Sequence, residues 1–324
     1  MASRSKPGST RPRAGDPAPR PSLDANHAGR QDGRNRGAPA INLLLAIAYV
    51  LLWGSAFNAA RVIALEWSPL WALLIRFAAV VPLLWLLVRH RAAPMPEGAD
   101  RWRVAAMGAF GMAGYLACAW VASAHVPSGL VALLSAVSPL FVAMGGRLLG
   151  QRLAPMGWLG LGLGWLGVAT LGLLRSADGI EAAEAWGLGI ALLGALLQAI
   201  GVLAFAPARS RVDPWATNFV QSVVAAGVLA GLVALWGGAP PAQSSPAVIG
   251  ALVYVSLVVG ILGYGLFFIV IRRFGAANAA ALQLMAPPVA ALIGWALLGE
   301  RLAWGDLLGG AITLAGLLLM FRAR

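Results

Sequence analysis

Charge is scarce in this chain. Only 11% of its 324 residues are Asp, Glu, Lys or Arg, less than half of the ~25% usual in soluble globular domains. Hydrophobic residues make up 60%, and the mean hydropathy is +0.78. That balance excludes a water-soluble fold and points to a polytopic membrane protein. There is one cysteine, Cys118, so no intrachain disulfide forms, and the redox compartment stays open. A P-loop is lacking, so no ATP-binding unit is expected. The net charge of +12 does not read as a nucleic-acid footprint. Nearly all the basic residues fall in an N-terminal tail and between apolar runs, a pattern of topology. No nucleic-acid partner, cofactor or metal is expected.

Acid is missing from the middle of every apolar run. The twelve Asp and Glu residues lie in the tail, in loops or near span ends. Proton relays usually place an Asp, Glu or His inside the bundle. The one candidate His, His125, sits at the outer end of a span. Downhill or exchange transport is therefore expected rather than proton coupling. A membrane-embedded enzyme is disfavoured on similar grounds, because Cys118, His125 and scattered serines have no nearby acid.

What is present is a duplicated apolar pattern. The stretch from Asn278 to Leu302 repeats the one from Gly129 to Leu153, with Ala132, Leu133, Pro139, Gly145, Leu148, Leu149, Gly150, Arg152 and Leu153 matched by Ala281, Leu282, Pro288, Gly294, Leu297, Leu298, Gly299, Arg301 and Leu302. Tyr115 matches Tyr264 at the same offset. Near the start of each half, Pro69 matches Pro214, Trp53 matches Gln198 and Arg76 matches Gln221. Two copies of one membrane unit are the pattern of a transporter.

Residues 1–40, rich in Arg, Pro, Gly, Ser and Ala, read as a disordered cytoplasmic tail. Ten spans follow, at about 41–60, 69–88, 104–124, 127–147, 155–174, 186–207, 214–236, 247–271, 278–298 and 303–321. The first five-helix repeat is 41–174, a periplasmic linker is 175–185, and the second repeat is 186–324. An odd number of spans per half turns the second copy upside down. The expected fold is thus an all-α polytopic membrane protein of ten transmembrane helices in two inverted five-helix repeats. With a cytoplasmic N-terminus, Arg89, Arg91, Arg101, Arg103, Arg147, Arg152, Arg209, Arg211, Arg272, Arg273, Arg322 and Arg324 share one side. The other side holds only Arg61, Arg175 and Arg301, so both termini are expected in the cytoplasm of an inner-membrane protein.

Several side chains are candidates for the site. Trp53 sits near mid-membrane, where an indole needs a partner or a cavity. It reads as a wall of the substrate site or as a core residue packed on Gly54. Ser55 and Asn58 follow in the same span as further candidate substrate contacts. Arg76 is the only basic residue well inside a span; it should face the bundle interior. Its expected role is structural or gating, with a clamp on a substrate carboxylate or phosphate as the alternative. Span 6 puts Gly187, Ala191, Gly194, Gln198 and Gly201 on one face; span 3 does so with Gly111, Tyr115, Cys118, Ala122 and His125. Span 7 aligns Asn218, Gln221 and Ser222. Such faces serve interhelical packing or line a cavity; for Gln198, Gln221, Tyr115 and Tyr264 cavity lining is expected. Pro139, Pro287 and Pro288 are candidate hinges, and they free carbonyls at Ser135 and Gln283 that a substrate could use. Spans 5 and 10 carry Gly157, Gly160, Gly164 and Gly167 against Gly305 and Gly309. They read as peripheral packing helices, with a homodimer face as one use.

Trp53-Gly54-Ser55, Leu74 to Phe77, and the paired ends Pro139…Leu149-Gly150-Gln151-Arg152-Leu153 and Pro288…Leu298-Gly299-Glu300-Arg301-Leu302 resemble the EamA-type branch of the drug/metabolite transporter superfamily. The resemblance covers about 41–321. It implies ten helices, an inverted repeat, a central cavity, and export of amino acids, metabolites or drugs. The sequence departs from the pattern at Gln151, where the second copy keeps Glu300. A lipid flippase or scramblase on the same fold is the competing function. The partners expected are a small-molecule substrate and membrane lipid.

Overall fold

The computed structural model describes residues 38–177 and 179–322. Most of the expected tail, together with Asp178 and Arg324, lies outside the described residues. By its contacts the chain divides into 1–43 and 44–324. Within the first unit only the opening turns of one helix are described. Among the described residues there is no strand.

Among the described residues, ten helical spans are long and apolar enough to cross a bilayer. They are α1 (Ala38–Ala64), α2 (Pro69–His90), α3 (Gly98–Ala122), α4 (Ser128–Leu148), α5 (Pro155–Ala177), α6 (Ala182–Phe205), α7 (Pro214–Trp236), α8 (Pro246–Phe274), α9 (Ala281–Leu298) and α10 (Trp304–Arg322). This is the all-α polytopic membrane fold expected. The helices start where the chain can start one. Pro69, Pro155, Pro214 and Pro246 stand first in their helices, where a missing N–H is no loss. Asp213 accepts from Trp215 N at 2.9 Å and Ala216 N at 3.0 Å to cap α7. At the cytoplasmic end of the expected topology α3 begins at Gly98, earlier than its apolar core suggests. Its first turns carry Asp100, which Arg211 from the α6–α7 loop clasps at 2.6 and 2.9 Å. That carboxylate lifts the Arg211 guanidinium further above its ordinary range.

Four spans are irregular, and they form matched pairs. α4 is broken between Ser135 and Ser138, and a stretch from Ala276 runs to Gln283 before α9 resumes at Ala286. Each break precedes the proline pair or single proline at the equivalent place. α3 is π-helical over Met107–Gly114, and α8 over Tyr254–Gly263. The segments end at Gly114 and Gly263, just before Tyr115 and Tyr264. The C-terminal ends of α4 and α9 also match: Gly150 has φ +85 and Gly299 φ +67. That left-handed conformation suits glycine and turns the next residue back over the helix.

Packing relies on glycine. A Cβ on Gly160 would lie 2.6 Å from Met320 N, one on Gly309 2.8 Å from Gly167 O, and one on Gly316 2.7 Å from Gly160 O. So α5 and α10 meet backbone to backbone, and their glycine faces are used within the chain. That contact within the chain is what the stripe forms. The small faces of α3 and α6 meet in the same way: Gly201 approaches Gly111, and Gly194 approaches Cys118 and Tyr115 O.

Gly316→Val should therefore lower the thermal midpoint of the detergent-solubilised protein severely, since the obstructing atoms are backbone and overpacking costs about 1–3 kcal/mol even against movable side chains. Gly162→Val, where no atom lies within 4 Å of a Cβ, should stay within about 0.5 kcal/mol of wild type. Equal losses for the two variants would contradict the packing argument.

Candidate functional site

A small cavity opens in the bundle between α2, α3, α7 and α8. From the first half it takes Arg76, Phe77 and Val80 of α2 with Met112 and Leu116 of α3. From the second half it takes Asn218 and Ser222 of α7 with Gly260 and Tyr264 of α8. Its free space is about 20 Å³, room for roughly one water.

Arg76 dominates the site. It lies in the second turn of α2 and is 7% exposed. Its guanidinium carbon stands 5.3 Å from the centre of the Phe77 ring and 5.8 Å from that of Trp120, contacts of the cation–π kind. Tyr115 and Tyr264 lie within electrostatic reach of it. Among the described residues no carboxylate and no hydrogen-bond acceptor meets Arg76. Asn218 Nδ2, on the facing helix, is likewise buried without a partner.

Of the other expected residues, Trp53 stands one ring behind the cavity. It packs edge-on to Tyr264 at 6.0 Å and to Tyr49 at 6.3 Å, and its Nε1 is buried without a hydrogen bond. Tyr115 adjoins Ser135, whose Oγ is buried without a geometrically sound hydrogen bond. Ser55 is committed elsewhere: its Oγ donates to Leu51 O at 2.7 Å and pairs with Tyr254 Oη at 2.6 Å. Gln198 does not line the cavity, because its small face is the one spent on α3. Gln221 is buried, but its backbone lies against Gly108. Asn218 and Ser222, one turn apart, face the cavity instead. Gln283 is exposed at the end of its helix, Pro287 is buried, Pro288 is exposed, and Pro139 is half-buried at the break in α4.

Asn58 belongs to a second polar centre, at the end of the bundle where α1, α3 and α9 finish and α4 begins. Glu300 accepts from Ser128 N at 3.0 Å through both oxygens, and its Oε2 lies 2.7 Å from Ser128 Oγ. Ser128 Oγ is also 2.8 Å from Asn58 Oδ1, while Asn58 Nδ2 donates to Ala290 O at 3.1 Å. Arg61 completes the clasp, with Nε 3.4 Å from Glu300 Oε1 and a bond from Nη1 to Ser123 O. At the same end Arg175 grips Asp306 at 2.7 and 2.5 Å and also meets Glu184. Sequence reasoning placed Asn58 among the substrate contacts and Glu300 in the family motif, and saw Arg61, Arg175, Glu184 and Asp306 only as charges near span ends. The π segments it did not see, although the repeated Gly111-Met112-Ala113-Gly114-Tyr115 and Gly260-Ile261-Leu262-Gly263-Tyr264 held the signal.

The arrangement is a helical bundle with a largely apolar pocket around one buried arginine. The EamA-like transporter family model matches residues 40–173 and again 185–322, so the chain belongs to that family. It is 27% identical over 270 residues to the "Uncharacterized inner membrane transporter YedA" of Escherichia coli K12, covering 82% of this chain and 85% of that protein. It is 26% identical over 280 residues to the "Probable terminal-alkyne amino-acid exporter" of Streptantibioticus cattleyicolor, covering 84% and 91%. One solved crystal structure, described only as that of a protein, superposes with a TM-score of 0.59 at 19% identity, over 88% of this chain and 98% of that one; that likeness bears on the fold alone. The protein is a multi-pass membrane transporter.

The clasp makes a stability prediction. Glu300→Ala leaves Ser128 N–H and the Arg61 guanidinium without their acceptor, and breaking a buried pair costs about 3–5 kcal/mol. Arg61 is 19% exposed, so a loss nearer 3 kcal/mol is expected. Gln151→Ala, at the exposed equivalent position, should cost less than about 0.5 kcal/mol. Denaturation of both variants in detergent compares the two, and matching losses would mean that the clasp holds nothing.

Proposed function

We propose that the protein exports amino acids or related small metabolites from the cytoplasm by alternating access. The observation that carries this is the cavity's composition: two helices of each repeat, α2 and α3 with α7 and α8, contribute its walls. In an inverted duplication, exchanging the shapes of the two copies carries a pocket so placed from one side of the membrane to the other. Trp53, Arg76, Tyr115 and Tyr264 meet the substrate in this scheme. Gln198 and Gln221, the counterparts of Trp53 and Arg76, meet it in the opposite state. The breaks at Pro139 and at Pro287-Pro288 are the hinges.

The exporter named for the Streptantibioticus relative supports the amino-acid class and the direction. The clasp supports the direction too. Asn58, Arg61 and Glu300 correspond in the second half to Leu203, Ala206 and, in the first, Gln151. One end of the bundle is therefore latched by a nearly buried carboxylate, whereas the other holds the more exposed pair of Arg211 with Asp100. With basic loops inside, the latched end is the periplasmic one, and the carrier loads from the cytoplasm, driven by its substrate's own gradient.

Comparison of small molecules in culture medium with and without the gene tests the function. Loss of one class of amino-acid-like compound from the medium on deletion, and its excess on overexpression, is expected; an unchanged medium in both strains sinks the export reading. Orientation is checked separately. Reporter fusions after Ala182 and after Arg324 should report opposite sides, with the latter cytoplasmic.

A further inference from the structure

We infer that the pocket beside Arg76 is a carboxylate site, and that its ligands are small monocarboxylates with an apolar body rather than cationic compounds. For transport this rests on the exporter reading; for binding it stands alone.

Among the described residues, each other arginine that is not exposed meets an acid, as Arg103 meets Asp100. Arg61 meets Glu300, and Arg175 meets Asp306 and Glu184. Arg76 is the exception. It is more deeply buried than either, and no acid from any packed helix meets it. A charge inside a span is costly. The ring faces of Phe77 and Trp120 offset part of that, but they leave the fork of N–H donors unfilled, and a guanidinium has five donors and no acceptor. An anion from outside the chain completes it.

The lining fixes which anion. Asn218 Nδ2 is a second buried donor without an acceptor, on the opposite wall of the same pocket. Ser222 and Tyr264 add hydroxyls. A planar carboxylate takes two parallel N–H bonds from a guanidinium and leaves lone pairs for Asn218. A single fixed charge matches a monoanion; a phosphate dianion would need a second cation, and none lines the pocket. The remaining walls, Phe77, Val80, Met112 and Leu116, suit an apolar body. Gly260 keeps the approach open, since even a Cβ there would come within 3.8 Å of Arg76 Nη2. With no Asp or Glu in the lining, an amine has no ion-pair partner. The pocket at about 20 Å³ is closed down on its donors, and a ligand enters as α2 and α7 part.

Three matched probes test this: leucine, isocaproate (which lacks the ammonium group) and isoamylamine (which lacks the carboxylate). Binding to the purified full chain is read by tryptophan fluorescence, Trp120 being beside Arg76, and by thermal shift, with sodium chloride as a control anion. The two carboxylates should bind saturably at millimolar concentrations and isoamylamine should not. Arg76→Gln should abolish that binding, and Asn218→Ala should weaken it about tenfold, as for a lost hydrogen bond to a charged group, at an unchanged elution profile. Isoamylamine binding as well as isocaproate overturns the proposal. So does chloride reproducing the shift, or no carboxylate binding at all. Undiminished carboxylate binding in Arg76→Gln, or in Asn218→Ala should the first variant fail to fold, overturns it as well. Binding that depends on Arg76 without efflux from loaded liposomes leaves the site standing and removes the exporter reading.

Discussion

Helices inside a bilayer gain no hydrophobic reward for touching, because lipid tails are as apolar as leucine. Every contact in this bundle must therefore come from close approach or from satisfied polar groups. The structure uses both, in different places. Backbone-to-backbone contacts through Gly160, Gly167, Gly309 and Gly316 join α5 to α10, and Gly111 with Gly201 joins α3 to α6. Polar clasps gather at the helix ends, around Glu300 and around Asp306. Gly108 of α3 also lies against the Gln221 backbone of α7, and the pocket opens between α2, α3, α7 and α8 around Arg76.

The irregular backbone follows the same logic. A π-helical turn widens a helix and loosens its hydrogen-bond ladder, and such turns often mark functional sites. Here they precede Tyr115 and Tyr264, one from each half, and both tyrosines lie within electrostatic reach of Arg76. Broken helices at membrane depth are tolerated only where protein or a cavity surrounds them. The breaks in α4 and before α9 meet that condition: Ser135, Val137, Leu284 and Ala286 are buried. The four irregular spans are thus coherent as a set, two per repeat at matched positions.

Much of this could be read from sequence. Span count and duplication follow from hydropathy and from repeated residues such as Pro139 with Pro288, and the burial of Arg76 follows from the cost of exposing it to lipid. The proline breaks were legible because proline removes a donor wherever it stands. Gln198 was harder. A small face bearing an amide looks alike whether it borders a cavity or another small face, and only the neighbour decides. The face of α6 found the matching face of α3, two patterns each visible in sequence but not visibly complementary. Asn58 and Ser55 were plausible cavity residues on their polarity, yet Asn58 joins Ser128 and Ala290, which lie far along the chain. Long-range hydrogen bonds of that kind leave no local pattern. Neither did the pairing of Arg61 with Glu300, since charges at span ends are ordinary.

The duplication kept the backbone of the unit and let its charges diverge. Arg76 faces Gln221 in the alignment of the halves, Trp53 faces Gln198, and Glu300 faces Gln151. Had both halves kept arginine, two guanidinium groups would flank one pocket, and their mutual repulsion would demand a dianion or an added acid. One arginine leaves a single positive charge, which the proposed carboxylate matches. The ends follow the same reasoning. Two identical inverted halves would make the inward-open and outward-open states mirror images of equal energy, and no ligand that treats them alike can shift such a balance. Unequal ends break the degeneracy without any ligand. In the proposed cycle, opening the periplasmic end must part Arg61 and Ser128 from Glu300, while at the cytoplasmic end the cross-repeat pair is the more exposed one of Arg211 with Asp100. The resting state of that proposed cycle and the charge that the pocket accepts are set at positions where the two copies differ, Arg61, Arg76 and Glu300 among them.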